Sequence, residues 1–471
     1  MINTDVSQDS SKMPLQNAVF VQPSDQLLHE NGVPKSTLSL VDAIALIVGI
    51  VIGAGIFRSP SLVAANTDTD IMFLLAWLLG GIVSLIGALC YAELTTAFPN
   101  TGGDYHFLCR AFGNRLAFVF AWARMSIIQT GSIALLAFIF GDYISKIFSL
   151  GEFSSVIYAA SVVILLTTIN CLGITLSSGV QKILTSIEVL GILLIIAAGF
   201  FLAPANAGMS PDLPVATGKN SSAGLAMVIV LLTFGGWNEA AYISAELRSG
   251  KRQLARALII SLIIITIIYI LVNMAFINVL GLANMAASDA VAVDLMQATL
   301  GQPGVMLIGF LVAISALTSA NATIFTGART NYSLGRDHKV FSGLSKWNSK
   351  TSAPVNAFLL QGAISLALIS LGIFTRSGFE TMLEYTAPVF WFFFLMVGIS
   401  LFVLRKKEPH AERPFRVPLY PVTPILFCLT STYLLYSSVM YTGLGALVGI
   451  GVLLIGIILI VVLKIKSKPA Q

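Results

Sequence analysis

Apolar and polar residues separate along this chain into long blocks. Between about Leu40 and Lys464, apolar runs near or above the roughly 20 residues that a helix needs to cross a bilayer follow one another, with short polar breaks between them. Twelve candidate spans result, at about 40–64, 72–97, 116–141, 154–172, 180–203, 223–247, 257–281, 303–333, 356–374, 381–404, 421–440 and 443–463. The first opens with Ser39 three residues before Asp42, a capping-box spacing in which each side chain satisfies a free backbone N–H. The segment 282–302, bounded by Gly281 and by Gly301-Gln-Pro303, is too short and polar to span and is expected as an external helix lying over the bundle. Residues 1–38 are polar, mixed in charge and without an apolar h-region, which predicts a disordered cytoplasmic tail rather than a signal peptide.

Composition makes lipid the solvent: 56% of the 471 residues are hydrophobic and 10% are charged, too few charges for a soluble surface. One integrated membrane domain is expected. The formal charge of +5 reads as topology and not as a nucleic-acid surface, because Lys and Arg gather on one side of the spans. With the N-terminus inside, Arg110, Arg115, Arg248, Lys251, Arg252 and Arg256 fall on cytoplasmic ends. So do Arg336, Lys339, Lys346, Lys350, Arg405, Lys406, Lys407, Arg413, Arg416, Lys464, Lys466 and Lys468, against Lys146, Lys219 and Arg376 on the other side. This predicts a multi-pass protein of the cytoplasmic (inner) membrane with both termini in the cytoplasm. Cys90, Cys109, Cys171 and Cys428 have no C-x-x-C spacing and no His partners, so they are expected to pack rather than to bind metal or form disulfides. His29, His106, His338 and His410 all avoid the apolar runs, and no G-x-x-x-x-G-K-[ST] loop is present. Neither an enzyme, a cofactor nor an ATP-driven pump is indicated, and any transport is secondary or passive.

Two of the spans carry glycine breaks. Ile52-Gly53-Ala54-Gly55-Ile56-Phe57 interrupts the first, and Thr233-Phe234-Gly235-Gly236-Trp237-Asn238 interrupts the sixth. Taken singly, small residues in a membrane helix serve close packing. As a pair opening successive five-helix halves, they point to an inverted-repeat transporter with its ligand held by unwound backbone at the midplane. Free N–H groups at the start of an outer half-helix attract a carboxylate, and carbonyls ending an inner half-helix accept from an ammonium. A zwitterionic α-amino acid fits those two poles. An ion channel fits less well, since no ring-forming filter sequence accompanies the breaks.

The chain resembles the amino acid–polyamine–organocation superfamily, near the L-type amino acid transporter and bacterial amino acid permease branch. The resemblance rests on Gly49-Ile50-Val51-Ile52-Gly53-Ala54-Gly55-Ile56-Phe57, Tyr91-Ala92-Glu93-Leu94 with Pro99-x-Thr-Gly-Gly103, and Gly235-Gly236-Trp237-Asn238. Asn321 with Thr326-x-x-Arg329, Gly335-Arg336-Asp337 and Arg413-Pro414-Phe415-Arg416-Val417-Pro418 complete it, in the family's order from about residue 40 to 464. It implies an all-α membrane protein of twelve transmembrane helices in the leucine-transporter fold, two inverted five-helix repeats plus two C-terminal helices. The implied layout is a tail to residue 38, a transporter domain over 39–464 and a short tail over 465–471. Within the domain lie repeats at about 39–203 and 222–404 and peripheral helices at about 420–464. It also implies that the substrate carboxylate meets Gly53, Ala54, Gly55 and the Ile56 N–H, and that the ammonium meets carbonyls matching Val51, Leu232 and Gly235.

Two positions depart from the family's pattern. Leu232 stands where relatives often carry an aromatic gate, leaving Phe234 or another aromatic to cover the substrate. Glu188 stands where many relatives carry a lysine thought to replace a bound sodium ion, which makes it the ion-coupling candidate, with a proton as the possible ion. A carboxyl at that depth is expected to hold a proton unless a cation such as Arg124 lies close. Glu93, near the inner end of the second span, is a candidate for gating or capping. Arg58 and Arg124 are expected in structural ion pairs, and Glu239 either binds a cationic substituent or plays a structural part. Trp237 is expected to pack at the break. The first expectation is thus a secondary transporter of neutral amino acids, working as a symporter or an exchanger. A cationic amino acid or polyamine carrier, and a nutrient receptor that does not transport, are the alternatives. The expected partners are a small amino acid, a possible proton and the lipid bilayer; the sequence indicates no protein partner.

Overall fold

A computed structural model describes residues 37–203, 223–247, 252–372, 378–442, 445–463 and 465. These are helical almost throughout, with two isolated β-bridges as the only extended pairing among them. Among the described residues, ten helices are long and apolar enough to cross a bilayer. The bent pair Leu40–Val51 and Gly55–Ala64, meeting at 46°, makes an eleventh candidate, and the shorter apolar helix Val355–Gly372 stands where the ninth of the twelve expected spans falls. Helices suit lipid because each backbone polar group is satisfied within its own segment. The tail before residue 37 and the loop residues Lys219, Arg248, Lys251, Arg376, Lys464, Lys466 and Lys468 lie outside the described residues.

The hydrophobic pattern placed these spans, while their true ends run past it. The eighth span extends over Gln302–Asp337, through polar residues that face neighbouring helices instead of lipid. The capping box at Ser39 forms as expected: Asp42 N–H donates to Ser39 Oγ at 3.2 Å, and Ser39 N–H to Asp42 Oδ2 at 2.9 Å. A short helix, Val291–Leu300, packs against the outer half of the first span and against the fifth, seventh and eighth spans, as the 282–302 segment led one to expect. Gly281, with φ of 73°, makes the bend that leads into it.

Small residues bring the second and sixth spans together. A Cβ on Gly80 would stand 2.3 Å from Val230 Cγ1, and one on Gly87 2.7 Å from the Trp237 ring. Such contact lets packing hold helices together where no hydrophobic force separates protein from lipid. The first and sixth spans, broken at matching places, open the two five-helix halves. The eleventh and twelfth spans stand outside them, with Trp122 of the third span donating to Val452 O of the twelfth at 3.1 Å.

Three elements escaped the pattern. A short helix, Asp104–Phe112, lies between the second and third spans. The third span, Asn114–Ile147, contains a π-helical turn at Arg124–Ile128, and the inner part of the sixth is a 3-10 helix, Trp237–Glu246. Asp104–Phe112 is too short and polar to show as an apolar run, and the π and 3-10 turns do not differ from an α-helix in the burial that apolar periodicity reports.

Candidate functional site

At the first break the helix ends at Val51, Gly53 N–H turns back to Val51 O at 2.8 Å, and a new helix starts at Gly55. Ile56 N–H is taken by Gly53 O at 3.4 Å and Phe57 N–H by Ala54 O at 3.3 Å. Ala54 and Gly55 N–H have no acceptor among the described residues. These two donors begin a half-helix whose dipole is positive at this end. Gly55 is exposed between buried Ile52 and Ile56, so the donors are reachable. Of the N–H groups expected to meet a carboxylate, Ile56 is therefore committed elsewhere, and Ala54 and Gly55 are open.

At the second break Gly236 adopts a left-handed conformation, φ 109° and ψ −21°, that only glycine takes without strain. A Cβ there would also stand 3.2 Å from Ile50 O, so the two breaks touch through backbone. Leu232 O accepts Gly235 N–H at 3.0 Å, while the carbonyls of Ile50 and Gly235 receive no hydrogen bond from the described residues. Val51 O is occupied: besides Gly53 N–H it faces the Tyr269 hydroxyl at 2.8 Å. The same hydroxyl lies 3.2 Å from Thr233 O, and one phenolic proton serves both carbonyls in turn. Val51 O, expected to meet the ammonium, is thus engaged and Ile50 O is open, because Tyr269, far along the chain, decides which carbonyl is left over. Ser315 Oγ donates to Ile52 O and Ser319 Oγ to Gly49 O, both at 3.1 Å, so the eighth span steadies the first break.

The side chains sort differently from their backbone. Phe234 is fully buried behind the break, its ring 4.8 Å from Tyr269 and 6.4 Å from Trp77, and so does not cover the open groups. Leu232 is 37% exposed. Asn238, Gly235 and Trp237 line a narrow cleft of about 30 Å³, whose far wall includes Phe390, Trp391 and Phe394 of the tenth span and Phe427 of the eleventh. Trp237 packs at the break, edge-on to Tyr91 with ring centroids 5.1 Å apart.

Each intramembrane charge has a definite setting. Glu188 is 1% exposed, both its carboxyl oxygens lack a donor, and its polar neighbours are Ser315 and Tyr269. Arg124 is not beside it. That guanidinium donates to Glu239 Oε2 at 2.5 Å, which makes Arg124 and Glu239 a buried ion pair. Glu93 is held by Arg405 at 2.5 Å, by Arg413 at 3.3 Å and by the Val417 N–H at 2.7 Å, joining the second span to the tenth and to the Arg413–Val417 loop. Arg329 forms a two-point pair with Glu246 at 2.6 and 2.8 Å, both side chains being 1% exposed or less. Asn321 bridges the fourth and fifth spans, accepting from Asn170 and donating to Gln181 Oε1, each at 2.9 Å.

The amino acid permease family model matches residues 38–463. The chain is 32% identical over 413 residues to the b(0,+)-type amino acid transporter 1 of Mus musculus, covering 86% of this chain and 83% of that protein. It is 30% identical over 439 residues to the large neutral amino acids transporter small subunit 2 of Mus musculus, covering 90% of this chain and 80% of that protein.

Proposed function

The chain belongs to the amino acid permease family and is a multi-pass membrane transporter of amino acids, and on that premise we propose that it carries neutral L-amino acids by alternating access. It does so across the cytoplasmic membrane, with both termini in the cytoplasm. The observation that carries the substrate reading is the pair of open donors, Ala54 and Gly55 N–H, set against the open acceptors Ile50 O and Gly235 O. The donors receive the α-carboxylate and the acceptors the α-ammonium, so backbone recognises what all α-amino acids share.

A neutral substituent is supported by the disposition of the nearby acids. Glu239, the carboxylate best placed after the break to meet a cationic side chain, is already neutralised by Arg124. Releasing it would break a buried, directly hydrogen-bonded ion pair, which is unfavourable. Glu188 lies beside Ser315, the residue that holds Ile52 O. With a proton in place Glu188 serves as a hydrogen-bonding support for the first break, and Glu188→Gln, which has nearly the same shape, keeps that support. Movement is secondary, as symport or exchange.

Competition against labelled leucine, alanine and phenylalanine exchange in vesicles, using the twenty amino acids, leucine amide and putrescine, tests this reading. Neutral amino acids are expected to compete, and leucine amide and putrescine to compete poorly. Equal competition by leucine and its amide would remove the carboxylate pole. Stronger competition by arginine, lysine or putrescine would transfer the site to cationic substrates.

A further inference from the structure

Beneath the two breaks, toward the basic end of the bundle, one guanidinium meets two carboxyls. Arg124 is paired with Glu239, and its guanidinium lies 4.1 Å over the Tyr242 ring. Asp104, the first residue of the short helix Asp104–Phe112, stands in the field of the same Arg124 and Glu239 and is 4% exposed. Gly103 brings it there. With φ of 49°, and with its Cβ position 2.6 Å from the Tyr242 ring, this residue lets the loop pass closer than any side chain would allow. Ser244 fixes the loop in place, its hydroxyl accepting from Asn100 N–H and donating to Asn100 O, both at 3.0 Å.

Bonding in this cluster is incomplete. Asp104 Oδ1, Arg124 Nε and the phenolic oxygens of Tyr91 and Tyr242 are all buried and make no hydrogen bond of good geometry, although both phenols face the Asp104 carboxyl. Two ionised carboxylates around one guanidinium leave an uncompensated negative charge in a sealed interior, and one added proton removes it. Glu239 keeps the direct bond to Arg124, so the proton falls to the other acid.

We propose that Asp104 is the proton-binding residue of the transport cycle, taking a proton from water of the opposite side while the basic end is sealed and giving it to water of the basic side when that end opens. This rests on the transporter reading above and supplies its coupling ion. Sealing favours the neutral acid by desolvation, and hydration favours the carboxylate, so the conformational swing itself drives release toward the basic end.

The groups facing Asp104 are Tyr91 of the second span, Arg124 of the third, and Glu239 and Tyr242 of the sixth. On the other side of its helix, Tyr105 donates to Asp337 at 2.9 Å, and Arg110 donates to Glu408, just past the end of the tenth span, at 2.6 Å. Asp104 lies outside the membrane-spanning helices, and burial pushes its carboxyl up to about 7. Arg124 opposes that shift, Glu239 adds to it, and Tyr91 and Tyr242 oppose it. His106 on the same helix is pushed down to about 4 by burial and by Arg110 and Arg336, and is uncharged at neutral pH.

The test is reconstitution in vesicles with a trapped pH dye, using labelled leucine, alanine and phenylalanine singly. With the outside acidic, wild type is expected to accumulate substrate while the lumen acidifies, and accumulation is expected to fall as external pH rises through about 7. Asp104→Asn is expected to exchange substrate without accumulating it and without moving protons. Glu239→Gln frees Arg124 to engage Asp104 and is expected to shift the pH dependence toward acid. Uptake by wild type without lumen acidification overturns the inference. So does accumulation by Asp104→Asn at the wild-type level, or a Glu239→Gln profile that stays in place or moves toward alkali. Should Asp104→Asn fail to insert, the wild-type dye signal and the Glu239→Gln profile still decide. Wild type that neither exchanges nor takes up any of the three amino acids sinks the transporter reading instead, whereas exchange without proton movement sinks only this inference.

Discussion

Gly55 and Gly236 open the two breaks for different physical reasons, and substitution tells them apart. Gly236 is required by its left-handed backbone and its contact with Ile50 O. At Gly55 a Cβ would stand 3.4 Å from Thr233 Cγ2, an ordinary contact, so a side chain there is tolerated by the fold. Its branches would instead crowd the free N–H groups of residues 54 and 55. Gly55→Val is expected to insert normally and to lose uptake to background. Uptake by a well-expressed Gly55→Val protein with wild-type affinity would sink the assignment of the carboxylate pole. The glycines were legible in the sequence because few residues tolerate an unwound segment. Which N–H and C=O groups they leave open was not legible, since that depends on where Ile56 N–H and the Tyr269 hydroxyl turn, and these are properties of the folded backbone.

The inner part of the sixth span is held by buried polar bonds as well as by its buried apolar residues. Its last residue, Glu246, takes two of the three Arg329 guanidinium nitrogens in a fully buried pair and gives its carbonyl to Leu38 N–H at 2.9 Å. One residue thus ties the sixth span to the eighth and to the start of the first. Removing the carboxylate strands a buried guanidinium, so Glu246→Ala is expected to cost about 3–5 kcal/mol, read as a lower unfolding temperature of the purified protein. A melting curve that overlays wild type would show that Arg329 finds another acceptor. Glu93 is comparable, with two arginines and a backbone N–H around it, and that crowding is why neither gating nor capping was legible from its place near a helix end. The capping box at Ser39 was legible because both its members lie within one turn. The 3-10 and π turns were not, because hydrogen-bond register leaves no trace in hydropathy.

At the scale of the whole molecule the lipid constraint made nearly all of the architecture readable. Twelve spans, their order and the paired breaks follow from run lengths and glycines, because a chain in a bilayer has few other solutions. What hydropathy could not supply is how the two halves communicate, and here Tyr269 matters. Its hydroxyl has one hydrogen and two carbonyls, Val51 O at 2.8 Å and Thr233 O at 3.2 Å, one from each broken helix. Any motion that parts the halves must move that hydrogen to one carbonyl and leave the other. A fluorine beside the phenol, introduced as 3-fluorotyrosine at this position alone, is therefore expected to give resonances that exchange intensity when substrate is added. A single unshifted line with and without substrate would mean that the halves travel together. The tyrosine is a built-in two-way indicator, readable by fluorine spectroscopy without labelling either gate.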